Sequence, residues 1–369
     1  MKLIKSLLIS CNEFYQELLG YSCKKTQLFV IPSKKWKKFV KKAGLDTYST
    51  GAYFPRNQMA IISDNNPLSL FHEYFGHGLY CEQNLIGRKL VELEKKLMEE
   101  EKIFFRNTKN LNSQNLQKFR RQNRTFRELI KFKRQNQGKY ELFAIWTEYL
   151  LSRENNMLNS FEKKYENLTK KEKEIVENII NFSKIFGDLA TFYAQGMAKQ
   201  INVERVKKLL EEIYKDKLKN AKFILLYGSK KEFSDIDIFM VGENIPELHS
   251  SWLDVRVYNP KNFEKRVKLF DIAITNPIMT GEFLFGDLDY FEATKKQILS
   301  QPITKKVIEY NIREGENQKK LSMKYPEGSA ERVRGLIYSQ TYLANALALK
   351  EGKRLFDKTD LLLYLSRHK

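Results

Sequence analysis

The chain has 369 residues, of which 42% are apolar, and a formal net charge of +20. That apolar share suffices for ordinary buried cores, and the length predicts two or three domains. No run approaches the ~18 consecutive apolar residues of a membrane span, and the three cysteines, Cys11, Cys23 and Cys81, are odd in number and form no paired motif, which argues against a disulfide framework. The expectation is a soluble cytoplasmic protein with no membrane contact.

The first predicted element is an amphipathic helix over 2–19, whose apolar core is too short and too interrupted by charge for a signal peptide. A strand around 27–31 follows, then a helix over 34–43 with Lys34, Lys35, Lys37, Lys38, Lys41 and Lys42 on its wet side. Residues 51–63 read as a turn and an edge strand near 56–63, just ahead of a helix over 67–80. Long charged helices are predicted over 86–106 and 114–134, and a third over 139–152. Between Lys102 and Lys139, twelve Lys or Arg face one acid, Glu128, interleaved with Leu111, Leu116, Phe119, Phe126, Leu129, Ile130 and Phe132 at helical spacing. This stretch is expected to be a helical scaffold and lid, drawing nucleic acid only weakly and non-specifically through phosphates. Helices over 158–166, 170–198 and 203–218 follow. No Pro- or Gly-rich linker marks the boundary near Ile201.

The helix over 67–80 contains His72-Glu73-Tyr74-Phe75-Gly76-His77. Neutral imidazole is a common zinc ligand, and a neighbouring carboxylate can act as a base. At ~100° per residue, an i,i+5 pair on a regular α-helix splays by ~140°. A π-type bulge restores the facing, and Gly76 has no side chain to obstruct it. The pattern H-E-x-x-G-H resembles the zinc motif of the dipeptidyl peptidase III family. That resemblance implies Zn²⁺ held by His72, His77 and a glutamate on a later helix, with Glu73 as general base. Tyr140-Glu141-Leu142-Phe143-Ala144 supplies Glu141 and the alanine three residues on. The family's further acid after that alanine is Ile145 here, and Glu148, on the same face as Glu141, is the expected substitute for orienting a ligand histidine. The strand before the metal helix is the expected seat of a peptide or protein substrate, which would add to it by backbone pairing.

In the second half, the apolar run Phe223 to Tyr227 reads as a buried strand leading into Gly228-Ser229. After a short polar turn, Asp235-Ile236-Asp237 opens another strand, and alternation puts both carboxylates on one face. Paired carboxylates repel unless a divalent cation lies between them. A third, Asp254, sits in the next apolar segment, Leu253 to Tyr258. This block resembles the polymerase-beta-like nucleotidyltransferase superfamily in its small G-S…S-D-I-D form, over about residues 202–300. The resemblance implies Mg²⁺ on Asp235, Asp237 and Asp254, with Asp254 also helping to activate the acceptor hydroxyl. It further implies a nucleoside triphosphate bound at Gly228, Ser229 and Lys230. Helices over 302–324 and 328–351 and a tail from 358 are expected to pack on this core. Arg367-His368 lacks the spacing of the HEPN ribonuclease motif.

The fold expected is therefore α+β. A mostly helical zincin-like metallopeptidase domain over 1–200 precedes a nucleotidyltransferase-like α/β domain over 201–300 and a helical region over 301–369. The function expected is a fusion of a zinc-dependent peptidase with a Mg²⁺-dependent nucleotidyltransferase acting on an unidentified acceptor. The alternative is a regulatory or toxin–antitoxin-like protein in which one or both sites are inactive and bind a protein or RNA partner.

Overall fold

A computed structural model of the chain describes residues 2–46, 49–108, 113–197, 202–229 and 234–368. The structure is mixed α/β, mainly helical, with one three-stranded and one five-stranded sheet. It divides into two compact units, Met1–Lys199 and Gln200–Lys369. Ile201, at the expected boundary, and Leu111, in the basic stretch, lie outside the described residues.

In the first unit, β1 (Gln27–Ile31), β2 (Gly51–Phe54) and β3 (Met59–Ser63) form a sheet ordered β1-β3-β2. β1 runs parallel to β3 and β2 antiparallel to it. The expected edge strand near 56–63 is thus corrected. Arg56 lies in a 3-10 turn, Pro55–Asn57, and β3 is the central strand, with the edge formed by β2. The physical reason is visible in Ala60, Ile61 and Ile62, an unbroken buried run that suits a strand covered on both faces.

Pro67 opens the next helix, which is π-helical over Leu70–Gly78 and α-helical over Leu79–Gln83. The widening covers two turns where a single bulge was expected. On its apolar side Phe75 meets the Tyr15 ring, which packs on Phe192, and Phe143 and Trp146 join the same buried aromatic cluster. Glu82, also buried, accepts the backbone N–H groups of Lys24, Lys25 and Thr26 and ties the segment before β1 to this helix. Helix Leu85–Asn107 follows, then Ser113–Gln122 and a single 31-residue helix, Arg124–Glu154. The break falls at Asn123, whose side chain accepts the Phe126 N–H at 2.7 Å, and the chain stays helical through Gly138. The expected helix over 170–198 is two, Lys170–Phe186 and Asp188–Ala194, separated at Gly187.

The basic stretch has partners that a local reading misses. Glu94 and Glu101, buried on Leu85–Asn107, face Arg56 at 3.6 and 3.8 Å, and pair with Lys133 and Arg120 at 2.5 and 2.7 Å. Leu90, Leu93 and Leu97 pack with Leu129, Phe126 and Phe132 to join the two helices.

The second unit is built on a sheet ordered β6-β7-β5-β4-β8, with β4 at Ala221–Tyr227, β5 at Ile236–Gly242, β6 at Leu248–His249, β7 at Leu253–Tyr258 and β8 at Glu282–Gly286. β5 and β7 are parallel and the other pairs antiparallel. Phe223, Phe239, Phe263, Phe270 and Phe291 share one core with Val307 and Leu349 of helices Lys305–Ser322 and Ala330–Lys350. Those helices therefore complete the sheet's core. Asp271 is fully buried and is satisfied by Arg266 Nε, the Tyr342 hydroxyl and the Ala273 N–H, which joins the helix after β7 to Ala330–Lys350.

Candidate functional site

Widening the helix brings His72 and His77 onto one side, their ring centroids 4.8 Å apart and nearly perpendicular. Helix Arg124–Glu154 crosses this face and offers Glu141. Its Oε2 lies 3.6 Å from His72 Nε2 and 3.7 Å from His77 Nε2. The three ligand atoms all lie within 4.8 Å of one another, and no other such trio of His, Cys, Asp or Glu occurs among the described residues. Two ligands held tetrahedrally at ~2.1 Å from one ion sit about 3.4 Å apart. The two measured separations are close to that spacing, so these residues could hold a metal ion.

Gly76 has a second role beyond easing the bulge. A Cβ there would come within 2.7 Å of Ala144 Cα and 2.8 Å of Ala144 Cβ. Glycine and alanine let the helices approach closely enough for Glu141 to reach both imidazoles.

Behind this trio, His72 Nδ1–H donates to Glu148 Oε2 at 3.0 Å, which leaves Nε2 facing Glu141. Lys164 Nζ in turn donates to both Glu148 oxygens at 2.9 and 2.7 Å. Glu148 thus occupies the orienting position expected of it. His77 is held differently. Its ring stacks on Tyr140 at 3.9 Å and 16°, while its buried Nδ1 has no hydrogen-bond partner among the described residues.

Electrostatics separate the four groups. Burial alone lowers the His72 pKa, but its hydrogen bonds to Glu141 and Glu148 and the charge of Glu73 outweigh it and raise it to about 9. In the metal-free site a proton on His72 therefore supplies positive charge between carboxylates. Burial, helped by His72, pushes His77 down to about 3. Glu141 is held below the usual glutamate value, its own burial overcome by the two histidines. Glu73 goes the other way. Burial raises it, His72 opposes, and Glu141 adds to the rise. Its side chain lies against β2, where a Cβ on Gly51 would come within 2.6 Å of Glu73 Cγ. A buried carboxylate with a raised pKa is a stronger base than an ordinary glutamate and so better suited to accepting a proton.

In the second unit, parallel pairing sets Asp237 opposite Asp254 on the sheet. Gly228, with φ +80°, ends β4 against Asp237; a Cβ there would collide with the carboxylate, 3.0 Å from its Cγ. Gly228, expected among the triphosphate-binding residues, thus also makes room for the carboxylate. Burial raises Asp237 from 3.8 to about 6, with the charges of Asp235 and Asp254 adding to it. Asp254 is depressed, because hydrogen bonds from His249 and Arg256 outweigh its burial. Ser234 Oγ donates to Ser229 Oγ at 3.3 Å across the turn. Lys230 lies outside the described residues.

Four further side chains surround this site. His249 on β6 sits beside Asp254, and its rarity, one of four histidines, was the available signal. Arg256 Nη2 reaches the Tyr338 hydroxyl at 3.3 Å, and Lys358 Nζ approaches the same hydroxyl at 3.5 Å. Tyr338 and Lys358 come from helices 80 or more residues downstream, and no local pattern could reveal them.

No protein-family model matches this sequence, and no curated protein matches it either. No helix among the described residues is long and apolar enough to cross a membrane.

Proposed function

We propose that the first unit is a zinc-dependent peptidase, with His72, His77 and Glu141 as ligands and Glu73 as general base. The observation that carries this reading is the convergence of His72 Nε2, His77 Nε2 and Glu141 Oε2, with the Glu73 charge coupled to His72 and Glu141. Zinc bound there would act as a Lewis acid and lower the pKa of its water to about 7. Glu73 takes the proton of the attacking water and delivers it to the leaving amine. Glu148 and Lys164 keep His72 in the tautomer that presents Nε2. A peptide would lie along β2. Ser63 N–H donates to the Thr50 carbonyl at 3.1 Å, so alternate residues of β2 bond to β3, and Tyr53 turns its backbone groups to the open edge. The test is metal analysis of purified protein with peptide cleavage. Wild type should carry one zinc per chain, Glu73→Gln should keep it and lose cleavage, and His77→Ala should lose it. Zinc-free wild type, or full cleavage by Glu73→Gln, defeats the assignment.

A second reading concerns the other unit and rests on a separate observation, the side-by-side placement of Asp237 and Asp254 with Gly228 packed on Asp237. We infer a Mg²⁺-dependent nucleotidyltransferase that moves a nucleoside monophosphate from a triphosphate to a hydroxyl acceptor. Mg²⁺ on Asp235 and Asp237 would neutralise the triphosphate charge. Asp254, hydrogen-bonded by His249 and Arg256, would help to activate the acceptor hydroxyl. Incubation with labelled ATP, CTP, GTP or UTP tests this. Asp235→Asn with Asp237→Asn should abolish labelling, and unchanged labelling would refute it.

A further inference from the structure

A cavity of about 240 Å³ adjoins the His72–His77–Glu141 set, walled by Tyr53, Tyr80, Ile86, Leu90, Phe132 and Tyr140 and bounded by Glu141 itself. We propose that this cavity receives one aromatic or large aliphatic side chain of the peptide, so that the first unit chooses its cleavage site by that residue. The inference rests on the peptidase reading and adds a substrate class to it.

Position comes first. Glu141 is a ligand of the metal set, Tyr140 stacks on His77, and the Tyr53 ring lies 6.1 Å from the His77 ring. Tyr53 is also the residue whose backbone faces the open edge of β2. A peptide laid along β2 would therefore pass the mouth of the cavity next to the reacting carbonyl.

Chemistry comes second. The hydroxyls of Tyr53 and Tyr140 are buried, so the cavity meets mainly their ring carbons. Lys133, on the wall, is neutralised by buried Glu94 at 2.5 Å. The Asn136 amide donates back to the Phe132 carbonyl at 3.0 Å. Lys133 and the Asn136 amide are thus engaged and the two tyrosine hydroxyls are buried, so a charged guest would lose its water for little return. Size is adequate, since an apolar cavity of about 150 Å³ can hold benzene.

Two measurements test the proposal. The first is binding, by fluorescence anisotropy, of labelled oligoglycine peptides with Phe, Leu, Ala, Lys or Glu at the centre to zinc-loaded Glu73→Gln protein. Phe and Leu peptides should bind at least ten-fold tighter than Ala, Lys or Glu peptides, and adding Ile86→Trp, which fills the cavity, should erase the difference. The second is cleavage of a mixed peptide library by wild type and by Ile86→Trp. Wild type should favour large apolar residues beside the cut bond, and Ile86→Trp should keep its zinc and shift to Ala and Gly. Equal binding of all peptides, or cleavage without side-chain preference, overturns the cavity's role and leaves the peptidase reading standing. Selective binding without cleavage by wild type does the reverse. Neither binding nor cleavage defeats both.

Discussion

Gly76 and Ala144 act as a pair. Each is small because the other helix leaves no room, and the approach they allow is what lets one glutamate meet two imidazoles. Gly76→Ala should cost roughly 1–3 kcal/mol by overpacking, because the atoms it meets include backbone that cannot swing aside. It should also weaken zinc binding more than its effect on stability accounts for, and metal titration beside thermal unfolding would separate the two. At the other site, Asp237 is the residue whose charge the metal-free fold resists. Its folded pKa, about 6, lies above its ordinary 3.8. The stabilisation this represents is therefore complete below about pH 4 and is lost as pH rises through about 6. In metal-free buffer, Asp237→Asn should melt at the same temperature as wild type near pH 4 and at a higher one near pH 7. A difference that does not grow between those values would refute the repulsion.

The π-helical stretch Leu70–Gly78 and the long helix Arg124–Glu154 make the first site as a unit. The motif spacing called for a local departure from the α-helix, but not for its extent. Two turns widen because Phe71, Phe75 and His77 must all pack while His72 faces Glu141 and Glu148. The start of Arg124–Glu154 depends on Asn123, which accepts the Phe126 N–H and donates to Glu100 at 2.8 Å. Asn123→Ala should destabilise the first unit by about 1–2 kcal/mol, visible as a lower denaturation midpoint with unchanged slope. Zinc binding should be nearly unaffected, since Glu141 lies several turns away. A large loss of affinity would show that the first turns of this helix hold the site.

Each unit has its own core and its own candidate site, carried by different residues. On the proposed zinc reading, chelation should lower the melting temperature of the first unit, because the stabilisation from metal binding to the native state is lost. The second unit should be unaffected, and Asp235→Asn with Asp237→Asn should leave zinc content unchanged. Calorimetry with and without chelator, on wild type and on that double variant, checks both statements. A shift of both transitions on chelation would contradict the independence. The net charge of +20 attracts polyanions generally, but Arg120 and Lys133 already serve buried Glu101 and Glu94.

The sequence by itself determined the order of most elements, the histidine motif, the Glu141 helix and the strand that carries Asp237, although that strand begins at Ile236 and leaves Asp235 just ahead of it. These are local properties, set by spacing within a few turns or along one strand. Only the tertiary structure decided the rest. It made β2 rather than β3 the edge, because strand order depends on pairing partners distant in sequence. It joined Arg124–Glu154 into one helix, because packing against Leu85–Asn107 outweighs the low helix propensity of Gly138. It brought Lys164 to Glu148, His249 and Arg256 to Asp254, and Tyr338 to Arg256. Three of these four contacts link different elements of the fold, and such meetings have no periodicity for a sequence to display.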